Sequence, residues 1–277
     1  MKKTRKLLAL LLAVIMAAGC LALTSAAKKN TALLLLGDSI AWGSGVMNST
    51  QACYGRIVAD TNGYDYANYA VPGHRTDNML ARLDRDNVSA AVENADIICI
   101  SIGGNDYLTD NMAAVIATVK AGDMEMVDSI AANLRKNFAE IIGKIRALNP
   151  DAVVFVQTLY NPLIGLSLED VYQQAIDRIN ESYDLYLADH PGSYEIIDVA
   201  GALDGKSGMI AGDSIHPSAK GNVEIAKLYL RTLKDMGLGT ETEPKLNAFA
   251  IDNPLTPLFD LFKKILAFFR SVFGVFG

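Results

Sequence analysis

An α/β fold, a three-layer α/β/α sandwich around a five-stranded parallel sheet, is what this sequence predicts from residue 31 onward. Three observations predict it. Short apolar runs, Leu33–Leu36 and Ile97–Ile100 the clearest, are continuous rather than alternating, as strands buried on both faces are. Segments of helical period stand between consecutive runs, the pattern of β-α-β units. A serine, a glycine and an asparagine each come just after such a run, at the carboxyl edge where open parallel sheets bind ligands.

The elements follow in order. Leu33–Leu36, closed by Gly37, gives a first strand over 32–37, and Cys53 to Asp60 reads as the helix that crosses back. Tyr66-Ala67-Asn68-Tyr69-Ala70 marks a strand over 64–70, and Asp77 to Leu83 a helix. Ile97–Ile100 gives the strand 96–102, and Asp128 to Leu148 a long helix ended by Asn149-Pro150, since the residue before proline disfavours helix. The strand 152–158, a helix from Leu168 to Asp189, the strand 194–198 and a helix from Ala219 to Met236, with Ser218 as its N-cap, complete the set.

The 277 residues, 51% of them apolar, suit one globular domain over 31–236 with appended segments. Met1 to Lys6 is basic and Leu7 to Leu23 apolar, which reads as a secretory signal peptide over 1–27, cleaved after Ala27, and makes the protein a secreted one. Lipid attachment at Cys20, in Ala17-Ala18-Gly19-Cys20, is the competing exit; Ala17 and the lack of a flexible tether weigh against it. The mature chain then keeps Cys53 and Cys99, the latter in a buried-strand pattern as a small hydrophobe, with a single bridge between them left open. A net charge of −6 and dispersed basic residues exclude a general nucleic-acid binder. Three scattered histidines offer no metal cluster, and no cofactor is implied.

The chemistry centres on Gly37-Asp38-Ser39-Ile40, where a buried strand ends in a serine whose hydroxyl can be exposed on a fixed backbone. A serine nucleophile needs a base, a group to orient that base, and oxyanion donors. Asp213-Ser214-Ile215-His216-Pro217 supplies an imidazole and a carboxylate, and Gly103-Gly104-Asn105-Asp106 follows the third strand. Each has a plainer reading: Ser39 as a helix cap, Asn105 and Asp106 as turn residues, His216 as a surface loop residue. Their joint occurrence, in this order and at one sheet edge, favours the chemical reading. Asp38 reads as a local hydrogen-bonding residue and His190 as a solvated helix terminus. Ala41 breaks a Gly-x-Ser-x-Gly elbow, and no Gly-Lys-Ser/Thr follows the first strand to make a P-loop.

On these blocks the chain resembles the GDSL/SGNH hydrolase superfamily, the secreted lipase and esterase branch, over about residues 31 to 236, with Ile40 standing where the name-giving Leu would be. The resemblance implies a flavodoxin-like fold and a serine esterase. Ser39 would be the nucleophile, His216 the base, Asp213 its orienter, and Ser39, Gly73 and Asn105 the oxyanion hole. His74, beside Gly73, is a further substrate-binding position. The expected substrate is a small-molecule or carbohydrate ester, with acetyl groups on carbohydrate first. Lipid esters at a membrane surface, or a non-catalytic binding protein of the same fold, are the alternatives.

Beyond the domain, 237–256 reads as a linker and 257–277 as an amphipathic helix, its polar residues within an arc of roughly 120°. Packing into a groove of the same domain or of a dimer partner, and contact with a membrane or cell surface, are the two readings of that helix.

Overall fold

The computed structural model describes residues 30–108, 112–248 and 250–255. The expected signal peptide 1–27, the lipid-anchor alternative at Cys20 and the amphipathic helix 257–277 lie outside the described residues. The chain divides after Asn30, and the unit Thr31–Gly277 carries the fold.

Five parallel strands, β1 (Ala32–Gly37), β2 (Asp65–Asn68), β3 (Ile97–Ser101), β4 (Val153–Gln157) and β5 (Glu195–Ile197), form one sheet in the order β2-β1-β3-β4-β5. All five strands fall where the apolar runs predict them. The continuous runs have the expected cause. Leu34, Leu36, Ile98, Ile100, Val154 and Val156 face one helical layer, while Leu33, Leu35, Ile97, Cys99 and Phe155 face the other. Each fully buried leucine is worth about 1.5–3 kcal/mol, which two-sided burial collects from every residue of β1 between its ends.

On the first face pack α3 (Thr76–Arg82), α4 (Asp86–Asn94), α7 (Glu125–Leu148) and α8 (Glu169–Asp189), joined by α5 (Gly104–Leu108) and α6 (Met112–Lys120). On the second pack α1 (Ser39–Trp42), α2 (Tyr54–Asn62), α9 (Val199–Leu203) and α10 (Ala219–Asp235). The helices α1, α4, α5, α6 and α9 are additions to those the sequence predicts. The predicted ends hold where local chemistry sets them. Asn149 caps α7 and donates its amide to the Val92 and Ala95 carbonyls, 2.8 Å each, and Ser218 caps α10 by accepting from Gly221 N at 3.0 Å. Cys53 and Cys99 are free and buried. No helix among the described residues is long and apolar enough to cross a membrane.

Strand order reverses between β1 and β3, and their ends are level, with Gly37 paired to Ser101. Asp38 N continues the ladder to Ser101 O at 3.0 Å. Gly37 has φ +126°, and a Cβ there would stand 1.8 Å from Ser101 O, so only glycine lets the chain turn out of the sheet at this point. The next side chains after β1 and β3 therefore open onto one crevice, the switch point where such sheets hold ligands.

Residues 238–248 and 250–253 run back along the domain. Tyr64 OH donates to Leu238 O at 2.5 Å, Lys245 N to Thr61 Oγ1 at 2.9 Å, and Asn247 Nδ2 to Gln51 O at 2.6 Å.

Candidate active site

Ser39 opens α1 directly after β1. Asp38 is its N-cap, accepting from Ile40 N at 2.9 Å, which fixes the backbone that carries the hydroxyl. Asp38 is only 2% exposed, and burial lifts its carboxyl from 3.8 to about 7, against the pull of the Ile40 N–H and the facing His216.

His216 reaches this hydroxyl from the far end of the domain. Its Nε2 lies 2.8 Å from Ser39 Oγ and its Nδ1 2.7 Å from Asp213 Oδ2. Burial raises the Asp213 carboxyl, but hydrogen bonds from the His216 ring and from the His216 and Ile215 backbone N–H groups outweigh it, and the net shift is downward. Asp213 is thus an ionised acceptor, which leaves the ring proton on Nδ1 and makes Nε2 the acceptor of the Ser39 O–H.

The loop that holds His216 is built from backbone bonds. Asp213 Oδ1 accepts from Ile215 N and His216 N, 3.0 Å each, and Ser214, at φ +60°, turns the chain. Ala211 N donates to His216 O and Ser218 N to Met209 O, both at 2.8 Å. Tyr160, just past β4, donates its hydroxyl to Ile215 O at 2.7 Å. Buried Asn222 donates to Pro217 O at 3.1 Å and Ser218 O at 3.0 Å, and accepts from Tyr54 N at 2.9 Å.

Asn105, in α5, is joined to the loop that follows β2, which carries Gly73 and His74. Asn105 Nδ2 donates to the His74 carbonyl at 3.0 Å, so it is the backbone of His74 that meets Asn105. The His74 imidazole is held below its usual pKa by burial and by Arg82 and Arg85, and its Nδ1 is buried without a hydrogen-bond partner among the described residues. That ring is not among the residues lining the apolar pocket described below. Gly73 has φ +81°, and the space where a Cβ would stand is open. Asp106, beside Asn105, accepts from both the backbone N and the hydroxyl of Thr76, at 3.0 and 2.6 Å.

Beside the serine lies an apolar pocket with about 640 Å³ of atom-free space, part of it open to solvent. Its lining includes the sequence neighbours of three site residues: Ile40, Gly104 and Ile215. Three tyrosines also line it, yet their hydroxyls are committed: Tyr107 to Val127 O, Tyr160 to Ile215 O and Tyr172 to Met112 Sδ. No charged side chain lines it among the described residues.

Sequence reading missed Tyr160, Asn222, the Thr76–Asp106 pair and the pocket. Asn222 alone left a signal: it is a polar residue at the helical spacing of Ile225, Ala226 and Tyr229, on the buried stripe of α10. Among the described residues no group of three or more metal-ligating side chains is gathered.

A doubly wound sheet with a serine, a histidine and an aspartate hydrogen-bonded in series at its switch point defines a hydrolase-type site. Residues 35–223 match the GDSL-like Lipase/Acylhydrolase family, and the chain belongs to it. Protein YpmR of Bacillus subtilis is 28% identical over 225 residues, covering 77% of this chain and 86% of its own. The spore germination lipase LipC of Bacillus licheniformis is 25% identical over 158 residues, covering 55% of this chain and 70% of its own. In fold, the lipase Lip_vut3 from a goat rumen metagenome superposes with a TM-score of 0.62 at 21% identity, over 76% of this chain and 98% of its own.

Proposed function

We propose that this protein hydrolyses carboxylic esters through an acyl-enzyme on Ser39. The observation that carries the reading is the unbroken series Ser39 Oγ, His216 Nε2, His216 Nδ1, Asp213 Oδ2, with contacts of 2.8 and 2.7 Å. As Ser39 Oγ bonds to the ester carbonyl carbon, its proton passes to His216 Nε2, and Asp213 stabilises the imidazolium. The carbonyl oxygen becomes an oxyanion, for which the Ser39 and Gly73 backbone N–H groups and the Asn105 amide are the donors. Collapse breaks the ester C–O bond, and His216 returns the proton to the leaving alcohol. Water repeats the sequence on the acyl-enzyme and releases the acid.

The pocket beside Ile40 and Ile215 supports an apolar acyl group of several carbons, a lipid-like ester, over the acetyl esters of carbohydrate named first among the expectations. Such a chain gains about 0.8 kcal/mol for each methylene buried, and an acetyl group gains almost none of it. A basic, then apolar, N-terminus supports action outside the cytoplasm.

Hydrolysis of p-nitrophenyl esters of graded chain length, by the wild type and by Ser39→Ala, tests both parts. We expect kcat/KM to rise from acetate to medium chains and activity to vanish in Ser39→Ala. Equal rates for the two proteins would remove the nucleophile, and no activity on any ester would favour a binding protein of this fold.

A further inference from the structure

The loop that carries His216 is braced from outside the family region. Past residue 223, where the family match ends, the chain returns along α2 and then crosses the 45–47 loop. There Met47 N donates to Ile251 O at 2.9 Å, Val46 and Asp252 form an antiparallel bridge, and Asn253 N donates to Gly45 O at 3.3 Å. The other side of that loop presses on the histidine. A Cβ on Gly45 would stand 2.0 Å from Pro217 O and 3.2 Å from His216 Cβ, so backbone meets backbone at this point.

Asp252 closes the arrangement directly. Its Oδ1 accepts from Ala219 N at 2.6 Å, at the first residue of α10 and three positions beyond His216. The first N–H groups of a helix have no partner within it, and a carboxylate there both accepts the bond and opposes the helix dipole. Ser218 takes the Gly221 N–H, so between them the two side chains hold the start of the helix that His216 leads into.

We propose that Asp252 is a positioning residue for His216, and that the 251–253 segment, the 45–47 loop and Pro217 form a stacked brace that holds the imidazole at hydrogen-bonding distance from Ser39. The proposal rests on the ester-hydrolase reading only for its kinetic consequence. The mechanical consequence, an ordered His216 loop, stands apart from it.

The test uses the full chain with Asp252→Ala and Asp252→Asn. Asn keeps an acceptor oxygen toward Ala219 N, and Ala removes it. Displacement of a catalytic group by a fraction of an ångström to one ångström costs up to about a hundredfold. We expect Asp252→Ala to lose about tenfold in kcat on a p-nitrophenyl ester, with KM changed less than about twofold, at temperatures well below its melt. Asp252→Asn should recover most of that loss. Hydrogen exchange in peptides spanning 209–222 should speed up in Asp252→Ala and stay near wild type in Asp252→Asn. Unchanged exchange in that span overturns the brace, as does an unchanged kcat beside a lowered melting temperature. Should the wild type hydrolyse no ester, the functional reading fails, and the exchange result alone decides the brace.

Discussion

Asp106 holds Thr76 with both carboxylate oxygens, one on the backbone N at 3.0 Å and one on the hydroxyl at 2.6 Å, and both residues are buried. The pair ties the start of α3, just past the loop that carries Gly73 and His74, to α5, which carries Asn105. Asn137 Nδ2 adds a third bond, to Thr76 Oγ1 at 3.1 Å. Burial holds the Asp106 carboxyl above its usual range, against the lowering effect of the two bonds from Thr76.

Asp106→Ala leaves two buried donors of Thr76 to find new partners, each at a cost of about 1–3 kcal/mol. A clear fall in melting temperature is expected, together with a loss of kcat through the displaced Asn105. Thermal melts and steady-state kinetics on one preparation check both effects.

Asn105→Ala removes the side-chain amide that we propose as an oxyanion donor while leaving Ser39, His216 and Asp213 in place. A loss of about 10²–10³ in kcat is expected, with KM little changed. The separation of kcat from KM in p-nitrophenyl ester kinetics is the measurement that checks it.

Ala175 lines the apolar pocket. Ala175→Phe puts a ring into space that an acyl chain would use. Hydrolysis of medium-chain esters should fall at least tenfold, while acetate hydrolysis stays within about twofold, since loss of two or more buried methylenes is worth about 1.6 kcal/mol or more. Chain-length profiles of the two proteins check this.

Asp38 supplies a pH dependence of stability. Its folded carboxyl titrates at about 7, whereas an unfolded aspartate titrates near 3.9. Between those values the folded chain keeps a proton that the unfolded chain has released. The stability this contributes is complete below about pH 4 and is lost as pH rises through about 7. Asp38→Asn keeps an acceptor for Ile40 N and does not ionise. Its melting temperature relative to wild type should therefore climb steadily from pH 4 to pH 7.5. A constant offset across that range would contradict the assignment.

The sheet was legible because burial on both faces writes a strand as an unbroken apolar run, as in Leu33–Leu36. Nine-residue α4 was not, for its only buried apolar pair is Val88 and Val92 among small and polar residues. Almost uniformly apolar, α6 shows no stripe to mark a helix. Ser39, Asp213 and His216 stood out because nucleophilic chemistry needs those side chains. Their supports were harder to read: Tyr160 acts through the Ile215 carbonyl, and Asn222, though it shows as a polar residue on the buried stripe of α10, has as one partner the N–H of Tyr54, 168 positions away. Contacts made to backbone atoms across such separations leave no local pattern. The segment 237–256 reads as a linker by composition, yet Lys245, Asn247 and Asp252 tie it to the domain through bonds of the same kind.

The central claim is that Ser39 is a nucleophile activated by His216, and trapping it is the most direct test. Wild-type protein treated with a p-nitrophenyl alkylphosphonate should gain the mass of one phosphonyl group, mapped by peptide sequencing to Ser39, with parallel loss of esterase activity. Ser39→Ala should gain none, and His216→Ala should react slower by at least about a hundredfold, the share a general base contributes. Labelling at another residue, or equal labelling of Ser39→Ala, would contradict the account.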